Sequence, residues 1–172
     1  MSSLIRLVYV SRAAFTPSPS AQGIQPTVAR ILLQSRRNNP RRQIGGVLYY
    51  GNGYFFQCLE GASDAVNQLV SRLMNDERHR DFEILKVNPV DRRLFSNWSM
   101  KFIPLENDVR QLLRAAGHEV FSPDILNDEL IDQLVDLFAS SANPESTPDQ
   151  NYRQTAKEPR GLWGRIRSWL GL

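Results

Sequence analysis

An Asn-Gly pair at positions 52 and 53 constrains the fold of this chain more than any other local feature. It separates two strand-like runs, Gln43 to Tyr50 and Tyr54 to Glu60. Asn and Gly readily adopt the positive φ angles of a two-residue type I′ turn, which joins strands that pair side by side. The pattern therefore predicts a β-hairpin, and with it antiparallel pairing at the centre of the fold.

Gln57 is the unusual residue of the second run. Alternation places it between Phe55 and Leu59 on one face of the strand. A carboxamide buried there without partners costs roughly 1–3 kcal/mol, so it requires hydrogen bonds. The run Leu4 to Ser11 carries a second polar group, the Tyr9 hydroxyl, in the same kind of position. We expect neighbouring strands to bring this hydroxyl to the Gln57 amide, with a flat polar ligand as the third partner.

Two helices alternate with the strands. Pro26 suits the first position of a helix, where no N–H donor is needed. This helix is predicted to end before Pro40, because the residue that precedes a proline avoids the α region. Ser63 is predicted to cap the second helix, with Asp64 favourably placed in the first turn and an apolar stripe that runs to about Asp76.

Further strands are predicted from Phe82 to Val90 and from Leu94 to Ile103, which completes the order βαββαββ. Two helices on one face of a mainly antiparallel sheet give an α+β, ferredoxin-like sandwich. A C-terminal helical extension is predicted to follow. Its first helix would be capped by Asn107 and end at Gly117, and its second would open at Ser122-Pro123-Asp124.

Changes in composition divide the chain into four parts. The sandwich occupies residues 1–103, and the helical pair, residues 104–140, is expected to cap one side of the sheet or to build an oligomer interface. Residues 141–158 are rich in Ser, Asn, Pro, Gln and Thr and are predicted to be a disordered linker. Residues 159–172 form a short basic amphipathic tail.

The 172-residue chain has a net charge of +3 and 41% hydrophobic residues, which is typical of a soluble domain with a packed core. No apolar run approaches the ~20 residues of a membrane-spanning helix, and the N-terminus lacks the features of a signal peptide. The single cysteine, Cys58, excludes an intrachain disulfide and a cysteine-based metal cluster. These features predict a cytoplasmic protein.

Six segments of the chain occur together in a specific order and spacing. They are Arg6–Ala13, Ser35–Asn39, Ile44–Tyr50, Phe56–Gly61, Asp76–His79 and Phe95–Met100. Together they resemble the BLUF family, the blue-light sensors that use FAD, over about residues 3–103. One local departure is Gly46, where the family usually has threonine.

The resemblance implies a non-covalently bound FAD whose ring lies between the two helices of the sandwich. Tyr9 and Gln57 match the pair that touches the N5/O4 edge of the flavin, and Asn39 matches the asparagine on its O4/N3 side. The other matching positions are Ser35 and Asn38 on the first helix, Arg78 and His79 near the far carbonyl and the FAD tail, and the switch residues Trp98 and Met100. Ile31, on the apolar face of the first helix, is expected to form part of the wall.

The resemblance also implies a function, that of a photoreceptor without enzymatic activity. Light would drive an electron from Tyr9 to the flavin with proton movement through Gln57. Gln57 would then be left rotated or tautomerised, and the flavin absorption would shift slightly to the red. The signal would pass through the Trp98–Met100 strand and the helices after Pro104 to a separate downstream effector protein.

The surplus apolar stripe on the helical pair predicts a homo-oligomer. For the tail, residues 161–170, four outcomes stay open: anchoring a partner, contacting an anionic membrane, docking on the protein's own surface, or fraying. No nucleic acid is expected as a partner.

Two other functions are weighed from the residues alone. The strand order, with Tyr9 on one strand and Tyr54 and Phe56 on another, superficially matches the stacking platform of an RNA-binding RRM. The basic third-strand motif is absent, however, and Glu60 stands where a positive charge would be useful. A small acylphosphatase-like hydrolase ranks last, because the loop that starts at Ser11 has no glycine cradle for phosphate.

Overall fold

The computed structural model describes residues 3–16, 24–97, 99–103 and 106–141. Its strands and helices are β1 (Leu4–Ala13), α1 (Pro26–Asn38), β2 (Gly45–Gly51), β3 (Tyr54–Ala62), α2 (Ser63–Met74), β4 (His79–Pro89), β5 (Lys101–Phe102), α3 (Glu106–Ala115) and α4 (Asp128–Ser140). Short 3-10 turns cover Pro40–Arg42 and Pro123–Ile125. The predicted order βαββαββ and the α+β, ferredoxin-like class are confirmed.

The strands form one sheet in the order β4-β1-β3-β2-β5. All neighbours pair antiparallel except β2 and β5, which are parallel. The predicted hairpin joins β2 to β3, with φ angles of 51° at Asn52 and 80° at Gly53. Both values are positive, as the type I′ turn requires. The hairpin places β3 next to the central strand β1.

The two faces of the sheet are covered by different helices. The α1/α2 face carries Leu7, Tyr9 and Leu59, and these pack with apolar residues of α1 and α2 such as Val28 and Val66. The α3/α4 face is covered by the C-terminal helices, whose buried residues pack against the opposite side of the same strands. They are Val109, Leu113, Leu130, Ile131, Leu134, Val135 and Phe138, packed with Val8, Phe56 and Cys58. The helical pair therefore caps the sheet, and the apolar stripe that led us to expect an oligomer is buried within the chain.

Several predicted boundaries are wrong at the helix starts. Ser63 is the first residue of α2 rather than its cap, because β3 continues to Ala62 and the Ser63 N–H donates to the Ser3 carbonyl over 2.9 Å. Asn107 lies inside α3. The helix predicted to open at Ser122-Pro123-Asp124 forms only a 3-10 turn there, and α4 starts after Asn127, whose Oδ1 accepts a hydrogen bond from the Leu130 N–H over 2.8 Å.

The strand predicted from Leu94 to Ile103 is also mostly wrong, because among its described residues only Lys101–Phe102 forms a strand, which pairs with β2. Phe95 is buried in the α3/α4 core, and Met100 is buried in the α1/α2 core. The described part of the segment between β4 and β5 is therefore held by contacts on both faces of the sheet instead of by a regular ladder.

The β4 strand starts three residues earlier than predicted, at His79. Asp81 has a φ of 51°, and the register with β1 shifts by one residue between Val10 and Arg12. Such a bulge turns the following side chain to the other face. Phe82 consequently packs on the α1/α2 face.

Within the described residues, no helix has the length and apolar character needed to cross a membrane. The predicted tail and the predicted linker beyond Ser141 lie outside the described residues, as does Trp98.

Candidate functional site

Tyr9 and Gln57 lie opposite each other on adjacent strands. β1 and β3 pair in a register that sets Tyr9 directly across from Gln57, and the Tyr9 hydroxyl donates a hydrogen bond to Gln57 Oε1. Their exposed fractions are 0% and 3%. The contact predicted from alternation is therefore confirmed, and it lies deep on the α1/α2 face.

Met100 extends this pair into a chain of three residues. Gln57 Nε2 lies 3.2 Å from the Met100 sulfur, and Met100 is buried. A thioether sulfur accepts hydrogen bonds but donates none. Rotation of the amide by 180° would set Oε1 against the sulfur, so that two acceptors would face each other. Met100 thus favours the amide orientation in which Oε1 accepts from Tyr9.

The Tyr9 ring is enclosed by aromatic neighbours. Phe82, turned inward by the bulge, stacks on it with the ring centroids 4.2 Å apart. Burial raises the pKa of the Tyr9 hydroxyl, and the negative charge of Asp76 raises it further. The phenol is therefore protonated at neutral pH. If the phenol releases its proton, the acceptor already in contact is the Gln57 oxygen.

The C-terminal end of α1 is tied to the segment that carries Met100. Asn39 is buried, its backbone N–H donates to the Ser35 carbonyl, and its Nδ2 donates to the Ser99 carbonyl over 2.8 Å. Arg36 Nε donates to the Met100 carbonyl over 3.0 Å. The C-terminal end of α1 therefore holds the backbone next to the Met100 sulfur.

The other predicted residues of α1 line the same helix. Ile31 is buried in the α1/α2 core, whereas Ser35 and Asn38 are half-buried. Asn38 is the last residue of α1, two residues before Pro40, so the predicted end is confirmed. The predicted reason is wrong, because Asn39 directly before the proline keeps α-helical backbone angles of φ −65° and ψ −38°. These positions provide an apolar wall and two polar side chains at its border.

His79 is buried, and one of its two ring nitrogens has no hydrogen-bond partner among the described residues. The Nδ1 atom lies 2.8 Å from Ser11 Oγ, while Nε2 is buried without a hydrogen-bond partner. The ring packs near Phe55 and Tyr9, with centroid distances of 4.7 and 6.4 Å. Burial lowers the pKa of His79 to about 4, so the ring is neutral at pH 7. Buried polar groups normally have a partner, so Nε2 is suited to a polar ligand atom.

Arg78 joins α1 to the start of β4. Its guanidinium donates to Asp76 Oδ1 over 2.9 Å and to Asp76 Oδ2 over 2.5 Å, and it also donates to Gln34 Oε1 over 2.9 Å. The hydrogen bond from Arg78 is the main reason that the pKa of Asp76 is lowered. Arg78 is thus fixed in place beside the neutral His79.

The structure brings together Tyr9, Gln57, Asn39 and Met100, and it sets His79 beside the Tyr9 ring. The sequence reasoning missed Ser11, Arg36 and the role of Glu60. Glu60 is the last residue of the predicted strand, whereas β3 continues to Ala62 and Glu60 is fully buried. Its position three residues after Gln57, on the opposite face of a strand, was the signal that could have revealed it.

These residues fit a flavin. The ring is flat and mostly apolar, with an amide-like edge, and such ligands need aliphatic walls and a few placed donors and acceptors. The α1/α2 face offers the Ile31 wall and the Gln57 and Asn39 amides. The unpartnered His79 Nε2 is the strongest single indication, since it is a buried polar atom that a ligand would satisfy.

The comparison with known families agrees with this geometry. A sequence model of the BLUF family, described as sensors of blue-light using FAD, matches residues 4–101. The photoactivated adenylate cyclase subunit beta of Euglena gracilis is 30% identical over 124 residues, which are 66% of this chain and 14% of that protein. The chain thus spans about 14% of the length of this curated relative.

Two solved structures are also similar. The photo-activated state of BlsA is 28% identical with a TM-score of 0.70, and the match covers 79% of this chain and 94% of that one. The dark-state structure of BlrB, a BLUF protein, is 28% identical with a TM-score of 0.62, over 82% of this chain and 98% of that one. With the family match over most of the sandwich, the chain belongs to the BLUF family of blue-light sensors.

Proposed function

We propose that this chain is a blue-light photoreceptor that binds FAD non-covalently on the α1/α2 face and signals to a separate protein. The observation that carries the proposal is the buried chain of contacts from Tyr9 through Gln57 to Met100. It joins an oxidisable phenol, an amide with two hydrogen-bonding arrangements and a residue of the segment that leads to the C-terminal helices.

The residues that would hold the cofactor come from three elements. Gln57 and Asn39 would serve the amide-like edge of the ring. Arg78 and His79 would serve the far carbonyl and the tail. Ser35 and Asn38 would border the ring, and Ile31 would form its wall. When bound, the flavin supplies blue-light absorption and acts as the electron acceptor.

Tyr9 is the electron donor of the proposed photochemistry. Its raised pKa ensures that the phenol starts protonated. Loss of an electron makes a phenol strongly acidic, and the Gln57 oxygen already accepts its hydrogen bond. Return of the electron and proton leaves the composition unchanged, while Gln57 remains rotated or tautomerised. The net result is a different hydrogen-bond pattern and no chemical product.

Met100 is the first residue whose contact with Gln57 that change would alter. A rotated Gln57 amide turns its oxygen toward the Met100 sulfur and loses the 3.2 Å contact. Met100 belongs to the same segment as Phe95, which packs in the α3/α4 core. The C-terminal helices are therefore the proposed output surface, and a downstream protein is the proposed reader. The match covers 94% of the BlsA chain and 98% of the BlrB chain, so these two solved chains are similar in length to the matched part of this chain.

The RNA-binding alternative loses its basis. A stacking platform needs exposed aromatic side chains on one face. Tyr9 and Phe56 are both fully buried, and they lie on opposite faces of the sheet.

The test is a visible spectrum of the protein produced with a supply of flavin, before and after a blue flash. We expect a yellow protein with a reversible red shift, and chromatography of the released cofactor should give FAD and not FMN. Tyr9→Phe should abolish the shift while flavin stays bound. Tyr54→Phe is the matched control, because Tyr54 is half-buried on the other face beside Arg12, and it should respond like wild type. A full response in Tyr9→Phe, or a colourless wild-type protein, would contradict the proposal.

A further inference from the structure

A buried carboxylate lies on the same strand as Gln57 but on the opposite face. Glu60 follows Gln57 by three residues in β3, so the two side chains point to opposite sides of the sheet. Glu60 is fully buried, on the α3/α4 side. A buried charge is unfavourable unless it is paired and hydrogen-bonded. The hydrogen-bond partners of Glu60 therefore show which parts of the chain this carboxylate fixes in place.

The two oxygens of Glu60 have different partners. Oε1 accepts a hydrogen bond from Arg6 Nε over 2.7 Å, and Arg6 faces Glu60 directly across the β1–β3 pair. Oε2 accepts a hydrogen bond from the Phe95 backbone N–H over 2.9 Å. Arg6 therefore compensates the charge, while the second oxygen fixes the main chain of the segment between β4 and β5.

The segment from Phe95 to Met100 is consequently attached to β3 at both ends. Phe95 is held by Glu60 and buried in the α3/α4 core, whereas Met100 is held by Gln57 and buried in the α1/α2 core. The two anchors on β3 are three residues apart, and the two anchored residues are five apart. A rearrangement at Gln57 thus acts on a short segment whose other end is fixed beneath the C-terminal helices.

We propose that Glu60 is a positioning residue that couples the Gln57–Met100 contact to the α3/α4 face, a role that rests on the photoreceptor function proposed above. Glu60 touches neither Tyr9 nor Gln57. By fixing the Phe95 end of the segment, it makes a change at Met100 move the segment against the C-terminal helices. Without this anchor, the change at Met100 is absorbed by slack in the segment.

The test is a double-mutant cycle on the flavin-loaded, full-length protein. Glu60→Gln keeps the shape of the side chain, but its NH₂ group accepts no hydrogen bond, so one of the two donors, Arg6 Nε or the Phe95 N–H, loses its acceptor. Met100→Leu conserves volume and removes the sulfur acceptor. The rate of dark recovery is measured in wild type, both single variants and the double variant. Direct coupling predicts that the effect of Met100→Leu shrinks at least five-fold in the Glu60→Gln background.

A matched control separates coupling from general charge removal. Asp132→Asn removes the partner of Lys86 on the exposed side of α4, and we expect it to leave the recovery rate and its response to Met100→Leu unchanged. A merely structural Glu60 would lower the melting temperature and leave the two recovery effects multiplicative within two-fold. That result would overturn the proposal.

A second measurement on the unmodified protein does not depend on a variant that folds. Hydrogen exchange should show the Phe95 amide protected in both the dark and the lit state, with light-induced changes in α3 and α4. An unprotected Phe95 amide in either state contradicts the proposal. Glu60→Gln, where folded, should reduce the light-induced change in hydrogen exchange in the two helices.

The two proposals fail in different ways. If the wild-type protein shows no red shift, the proposed photoreceptor function is wrong. If the shift is present but the effects of Glu60→Gln and Met100→Leu are multiplicative, only the proposed role of Glu60 is wrong.

Discussion

Gly46 provides the sharpest test of the sheet geometry, because the backbone of β3 approaches it closely. It lies on β2 opposite Leu59 of β3. A Cβ atom added at Gly46 would lie 2.2 Å from the Cys58 carbonyl oxygen and 3.4 Å from the Leu59 Cα. Both contacts are with backbone, so no side chain can rotate away. We therefore expect Gly46→Thr to push β2 away from β3 by close to an ångström.

The expected loss of stability follows from that displacement. Forcing extra atoms into a packed interior typically costs about 1–3 kcal/mol. For a chain of 172 residues, 1 kcal/mol shifts the melting temperature by roughly 2–4 °C, so a fall of about 2–12 °C is expected. The displacement also reaches the site, because the next two residues of β2, Val47 and Leu48, pair with Cys58 and Gln57. Flavin binding should persist, with an altered lifetime of the red-shifted state.

Thermal unfolding of the dark protein, followed by circular dichroism, measures the effect. The matched control is Gly61→Ala on the adjacent strand, where the added Cβ would meet its three nearest atoms at 3.3 Å, two of them on side chains. Its melting temperature should fall by less than half as much as that of Gly46→Ala, and Gly46→Thr should be at least as unstable as Gly46→Ala. A Gly46→Thr protein as stable as wild type would refute the close approach of β2 to Cys58.

Three further predictions concern the site and its surroundings. Met100→Leu leaves the Gln57 Nε2 without an acceptor, a loss of about 1 kcal/mol that should change the dark-recovery rate about five-fold in flash spectroscopy while preserving the fold. Burial lowers the pKa of His79 to about 4, whereas the pKa of this histidine in the unfolded chain is near 6.5, so the unfolded chain binds the proton first. Stability is therefore lost as the pH falls from about 6.5 to 4, and unfolding titrations should show this slope reduced in His79→Gln. The apolar stripe from which the homo-oligomer was predicted is buried against the sheet. Sedimentation in the dark and in the light tests the predicted homo-oligomer directly, and a monomer in both states contradicts it.

The contact between Tyr9 and Gln57 was predictable because it depends only on alternation and on strand pairing. Each strand carried its polar group on an otherwise apolar face, and the Asn52-Gly53 turn fixed one neighbour of β3. The position of Phe82 was not predictable in the same way. It depends on the positive φ of Asp81, and aspartate gives only a weak signal for such a bulge.

The starts of the C-terminal helices show a different limit. The Ser122-Pro123-Asp124 sequence has the residues of a helix start, and so does Asn127 a few residues later. Local propensity cannot choose between them. Packing determines where the helix starts, because a helix that starts at Asp128 buries Leu130, Ile131 and Leu134 against the sheet.

The contacts of the segment between β4 and β5 explain why the strand predicted there does not form. Phe95 and Met100 are an odd number of residues apart, so a regular strand would also have placed them on opposite faces. The Val90 N–H donates to the Leu4 carbonyl, and the Ile103 N–H donates to the Leu48 carbonyl. Between these points, side chains hold the described backbone at Phe95, Ser99 and Met100.

A segment held by side chains is better suited to switching than a full strand. Moving a full strand at this edge of the sheet would break its ladder of backbone hydrogen bonds to β2, each worth about 0.5–1.5 kcal/mol. Moving this segment requires exchange of a few side-chain contacts, one of which, to Gln57, is the group that the proposed photochemistry rearranges. In the proposed mechanism, the same irregularity that makes the segment hard to predict from the sequence carries a change of the Gln57 amide to the opposite face of the sheet.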